Sequence, residues 1–93
     1  MTPAQIEAEI QTPLSVLPAH LQRGLRDYFV DRVPTGDFLR AVLANDFAQA
    51  VLRADPESFA DLRAIALFIV NVAPAGSHGS YAAVDDWLAG GTA

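Results

Sequence analysis

Asp55-Pro56-Glu57-Ser58-Phe59-Ala60-Asp61-Leu62-Arg63-Ala64-Ile65-Ala66-Leu67-Phe68-Ile69-Val70-Asn71-Val72-Ala73-Pro74 carries the strongest helical signal in the chain. It begins with an N-cap acid, a proline at the first helical position and a second acid in the first turn, where the partial positive charge of a helix lies. Phe59, Leu62, Ile65, Ala66, Ile69 and Val70 recur at helical spacing. Leu67, Phe68 and Val72 widen that face, which predicts a long helix enclosed by others. The apolar run from Ala64 to Ala73 is roughly half the ~20 residues a membrane-spanning helix needs, and it is bounded by Arg63 and Pro74. It reads as a core helix.

Upstream, Asn45-Asp46 interrupts a helical pattern. Both side chains compete for backbone hydrogen bonds, so a break or kink is expected there, with Phe47, Ala50 and Val51 continuing an apolar face up to Arg53. Before it, Val33-Pro34-Thr35-Gly36-Asp37 is the clearest punctuation. Proline ends one helix, Thr35 is the expected cap of the next, and that next helix turns Phe38, Leu39, Val42 and Leu43 inward. Leu21, Leu25, Tyr28 and Phe29 mark a second helix from Pro18 to about Arg32. Gly24 within it is expected where another backbone passes close by. Thr2-Pro3 starts a first helix that carries Ile6 and Ile10 before Pro13.

Downstream, Pro74-Ala75-Gly76-Ser77-His78-Gly79-Ser80 is a loop by composition. Ser80 caps a last helix with Val84, Trp87 and Leu88, and Gly90-Gly91 closes it. No strand-like alternation and no internal repeat occurs. The fold class expected is all-α, a compact bundle of about five helices around a central apolar helix. Residues 1–14 form an N-terminal helical arm and 15–93 a single helical domain. The core is expected to hold Leu25, Phe29, Phe38, Leu39, Val42, Leu43, Leu62, Ile65, Ile69 and Trp87.

Length and charge narrow the function classes. A chain of 93 residues supports one core, and 52% apolar residues are enough to fill it and to leave some for a subunit interface. The net charge of −5 argues against sequence-independent nucleic-acid binding, which depends on clustered Lys and Arg. All the basic residues are arginine: Arg23, Arg26, Arg32, Arg40, Arg53 and Arg63. There is no cysteine, hence no disulfide, thiolate nucleophile or Cys-based zinc site. Met1–Glu7 lacks a basic region followed by an apolar run, so no signal peptide is expected and the location expected is the cytoplasm.

Candidate chemistry is sparse. His20 and His78 lack the paired spacing of metal ligands, so no metal and no cofactor is expected. Ser77 beside His78 has no acid placed to orient the imidazole, and Asp85-Asp86 reads as a solvated first turn. The expectation is therefore that the chain is not an enzyme. The Gly76–Ser80 loop running into a helix N-terminus can present N–H groups to a phosphate, which makes Ser77, His78 and Ser80 candidate binding residues. A second candidate group is Asn45 and Asp46 with Arg32, Arg40 and Arg53, either an internal capping network or a recognition surface.

The segment Val33 to Phe47 resembles a pattern P-x-G-x-F-L-x-A-V-L-x-N-D-L found in short phage and prophage proteins. Arg53-Ala54-Asp55, Asn71 before Pro74, Gly79-Ser80, and Val84, Trp87 and Leu88 also fall where those proteins have equivalents. The resemblance runs from about Leu17 to Leu88. Phe47 stands where leucine is commoner, Asp37 where glycine is, and Ser77-His78 where an aromatic often precedes the Gly-Ser pair. The resemblance implies a genetic setting and not a mechanism; with the excess apolar content and the few catalytic residue types, it leads to the expectation of a non-catalytic accessory protein, in the cytoplasm of a bacterial host, that binds a host protein such as an antiviral-defence component. The alternative is a sponge that sequesters a nucleotide or cyclic-nucleotide signal at an oligomer interface. Neither a membrane nor non-specific nucleic acid is an expected partner. Leftover apolar surface on so small a domain predicts a homodimer, with the arm crossing between subunits.

Overall fold

The computed structural model describes residues 2–90, and among these the chain is helical with no strand. The helices are α1 (Pro3–Leu14), α2 (Ala19–Asp31), α3 (Asp37–Leu43), α4 (Phe47–Arg53), α5 (Pro56–Ala60), α6 (Leu62–Asn71) and α7 (Tyr81–Leu88). Local chemistry sets most of the starts. Thr2 and Gln5 form a reciprocal capping box on α1, Asp46 caps α4 through the N–H of Gln49, Asp55 caps α5 through that of Ser58, and Ser80 caps α7 through that of Ala83. At α3 the cap is Gly36 and not Thr35, whose hydroxyl turns to the Gly36 carbonyl.

α2 is the hub of the core. Leu25, Tyr28 and Phe29 are fully buried, with the Tyr28 ring edge-on to Phe29 at 5.2 Å and Phe29 against Phe68 of α6 at 5.9 Å. Leu39 and Leu43 of α3, Ile65 and Ile69 of α6, and Val84 and Trp87 of α7 close around it. The Trp87 indole donates to the Tyr28 carbonyl at 3.1 Å, and the Tyr28 hydroxyl donates to the Ser77 carbonyl at 2.6 Å. Burial pushes that phenol up to about 12.

The expectation of about five helices around a central fourth one is corrected in two respects. The segment after Asp55 is two helices, because the Asp61 N–H bonds back only three residues to the Ser58 carbonyl and the chain turns there. The longest helix is α2. α6 buries one face, Ile65, Phe68 and Ile69, and leaves Val70 76% and Leu67 43% exposed, so it lies at the edge of the molecule. Phe59, assigned to that helix's buried face, is 54% exposed, and Phe38, Val42 and Leu62 are only partly buried.

Ile6, Ile10 and Leu14 of α1 are buried within the same chain, and Arg26 of α2 reaches Glu7 at 2.7 Å as well as Asp27 and Asp31. The arm's apolar stripe is thus covered by its own chain. Gly24 is also accounted for differently: a Cβ there would meet the side chain of Leu39 at 3.7 Å, and no backbone passes close. Of the closing pair, Gly90 adopts φ +78, while Gly91 lies outside the described residues, as does Met1 of the arm.

Candidate functional site

The break after α3 is a left-handed turn. Asn45 has φ 62, a region in which a short side chain with local hydrogen bonding is the best non-glycine choice. The Asp46 N–H reaches the Ala41 carbonyl at 2.9 Å and the Asn45 N–H reaches that of Val42 at 3.1 Å, the paired bonds of a Schellman ending. The next carbonyl, that of Leu43, accepts from the Gly79 N–H at 2.7 Å. Two of the sequence's candidate groups, Asn45-Asp46 and the loop before α7, therefore meet, and they meet to cap a helix.

Asp46 holds a second element as well. One carboxylate oxygen caps α4 and the other accepts from the Tyr81 hydroxyl at 2.8 Å, a bond that raises the phenol's pKa. Arg40 lies over the Tyr81 ring, 5.2 Å from its centroid, and pairs with Asp85 at 2.9 Å. Arg53 pairs with Asp37 at 3.2 Å. Arg40 and Arg53 share one small hollow with Tyr81, but both guanidinium groups are engaged by carboxylates of the same chain. Arg32 stands apart from them, at the left-handed end of α2, 3.5 Å from the Trp87 ring centroid and donating to the Trp87 carbonyl at 2.6 Å.

The loop offers little to an anion. Ser77 is sealed from solvent, its hydroxyl donates to the Pro74 carbonyl at 2.6 Å and lies 3.2 Å from His78 Nδ1, and its N–H goes to the same carbonyl. The Gly79 N–H is spent on Leu43, and the Ser80 hydroxyl on capping α7. Among the described residues no group of three or more acids and histidines is placed to hold a metal ion, and no helix is long and apolar enough to cross a membrane.

Two hollows are large enough for a ligand: one of about 550 Å³ between α1 and α2, edged by Glu7, Arg23 and Arg26, and one that is more apolar. α4 and the α5–α6 pair flank an open groove of about 450 Å³, lined by Val42, Phe47, Ala50, Phe59, Leu62 and Ala66. Asn45, Asp46, Ala60 and Arg63 complete its lining. Phe47 is 75% exposed and Phe59 54%, so two phenylalanines from different walls stand largely in solvent. A smaller hollow along α6 shares Val42, Asn45 and Ala66 with this groove and extends it to Ile69, Val70 and His78. Exposed apolar surface gathered into one concave strip is what marks a binding site, whereas the same residues scattered singly would not.

Of the residues singled out in the sequence, Asn45 and Asp46 line the groove and His78 lines its extension. Arg32, Arg40, Arg53, Ser77 and Ser80 do not line either. The aromatic walls were missed because Phe47 and Phe59 were assigned to apolar faces. The available signal was a surplus of large apolar residues for a single small core.

The fold and groove together define an all-helical domain with an open apolar cleft. Comparison with protein-family models, with curated proteins and with solved structures finds no match.

Proposed function

We propose that this chain is a non-catalytic binding protein that holds a partner protein in the groove between α4 and α5–α6. The observation that carries this reading is the exposure of Phe47 of α4 and Phe59 of α5, both of which line that groove. Covering them would remove roughly 250 Å² of aromatic surface from water, about 6 kcal/mol before the costs of association. Arg40 and Arg53 are spent on Asp85 and Asp37, and Ser77 is out of reach of any substrate, so the nucleotide and hydrolytic readings draw no support from these groups.

The setting comes from the Val33–Phe47 motif. In it the chain serves a phage or prophage in the cytoplasm of a bacterial host, and its partner is a host protein such as a component of antiviral defence. The test is a photo-crosslinking residue placed at Phe59 or, as a control, at Leu52, which is 76% exposed and lies outside the groove. Irradiation in the host should give a discrete protein adduct from position 59 and none from 52. Equal adducts from both positions, or from neither, would end the reading.

A further inference from the structure

The groove's occupant follows from two properties of its walls, given that the groove is the binding surface. The first is that both walls are helical, and among the described residues there is no strand and hence no sheet edge. A peptide seated there finds no ladder of backbone N–H and C=O groups to pair with, so an extended segment would leave its own backbone unsatisfied. A helix brings its backbone hydrogen bonds with it. The groove has room for about three large apolar side chains, which is one ridge of a helix at i, i+3 or i+4, and i+7.

The second property is charge. Asp46 lines the groove and Asp61 sits between the lining residues Ala60 and Leu62, while Asp55 and Glu57 bracket the start of the short helix that carries Phe59. Against them stand Arg63, which makes no ion pair among the described residues, and Arg53, which is turned to Asp37. The chain as a whole carries −5. A field of that sign draws in a cationic partner and repels an acidic one, and a second copy of this chain would bring its own −5. We infer that the groove receives an amphipathic helix with a ridge of large apolar side chains flanked by Lys and Arg.

The probe is a fluorescently labelled synthetic helix of that design, with two controls. One is an acidic twin with the same apolar ridge and Glu in place of Lys and Arg. The other is a scrambled basic peptide of the same composition without the ridge. Anisotropy titration with the full chain at low salt should show the basic amphipathic helix binding at least tenfold tighter than either control, and weakening as salt is raised. Asp61→Asn, which keeps a residue able to cap α6, should weaken it by about two- to threefold and leave the scrambled peptide unaffected.

Phe47→Ser and Phe59→Ser should each weaken it tenfold or more, with Leu52→Ser unchanged. Circular-dichroism melts of all three verify folding, which their exposed positions leave intact. Equal binding of the acidic twin would overturn the charge assignment while leaving the groove in place. Undiminished binding by both Ser variants would overturn the groove itself. A wild-type dimer in light scattering that becomes a monomer with Phe47→Ser would make a second copy the occupant and overturn the inference.

Discussion

Replacing Tyr28 by phenylalanine deletes one oxygen from a fully buried ring and leaves the packing against Phe29 in place. The deleted hydroxyl donates to the Ser77 carbonyl at 2.6 Å, across 49 residues of sequence. A made hydrogen bond is worth only about 1 kcal/mol net, but Ser77 is fully buried, so water cannot replace the donor and its carbonyl bears a desolvation cost of ~1–3 kcal/mol. The expected loss is about 2 kcal/mol, a drop in Tm of roughly 8–16 °C for a domain of this size. Alkaline pH supplies an independent arm. Burial raises the Tyr28 phenol from its ordinary 10 to about 12, so the folded state favours the protonated form. That contribution is fully present below pH 10 and is lost as pH rises to about 12, because the unfolded chain ionises first. Wild type should therefore lose about 2–3 kcal/mol over that window by this route, a slope that Tyr28→Phe lacks. Urea denaturation at pH 7, 10 and 11.5 measures both. A variant as stable as wild type at pH 7, with the same alkaline slope, would refute the assignment of this contact as the anchor of the loop before α7.

Leu25→Ala, at a fully buried position of α2, should cost ~2–5 kcal/mol in urea denaturation, whereas Leu52→Ala, 76% exposed, should stay within ~0.5 kcal/mol of wild type. Asn45→Gly should be near neutral or stabilising and Asn45→Ala should lose about 1 kcal/mol, since only the alanine is strained at φ 62; thermal melts rank the pair. Arg32→Ala keeps the same backbone strain but removes the guanidinium over Trp87, with a loss of about 1–2 kcal/mol and a changed emission of the chain's single tryptophan. Arg32→Lys should recover only part of it, because an ammonium cannot stack on the ring as a planar guanidinium does.

The parts of the fold legible in the sequence are those set by local chemistry. Asp55-Pro56, Asn45-Asp46 and Ser80 act through hydrogen bonds to residues a few positions away, so their roles follow from the residues alone. The break at Asp61 was not legible, because one acid inside a helical apolar pattern is compatible with a continuous helix. Glu57 of α5 lies 3.6 Å from His20 of α2, a contact that appears only in three dimensions. The rank of the helices was misread for a related reason. α6 is rich in apolar residues, yet α2 occupies the centre, because the Ser77 carbonyl and the Trp87 indole converge on Tyr28, a convergence that hydrophobicity along the chain does not encode. The candidate site divided the same way. Asn45 and Asp46 are legible through their backbone chemistry and do border the groove, while Arg40 and Arg53, expected as anchors, are paired with Asp85 and Asp37 of the same chain.

The turn at Asn45 connects the fold to the groove. Leu39, Leu43 and Phe47 are spaced four apart, so in an uninterrupted helix they would share one face, and Leu39 and Leu43 are both buried. Continuing α3 would carry Phe47 onto that face. The chain instead adopts the left-handed conformation at Asn45 and redirects Phe47 into solvent, forgoing the ~1.5–3 kcal/mol that burying such a side chain provides. The break is then reinforced: the Asp46 and Asn45 N–H groups take up the Ala41 and Val42 carbonyls, Gly79 takes that of Leu43, and Tyr81 clamps Asp46 from α7. Bonds within the turn, from the loop before α7 and from α7 itself thus hold in place a turn whose immediate effect on stability is unfavourable at two residues. Covering the core does not require that arrangement, since Ile65, Phe68 and Ile69 already close it from α6. What the turn does accomplish is to bring Phe47 into the lining of the groove that Phe59 also lines, and under the proposed function a partner seated there would restore the burial the isolated chain gives up.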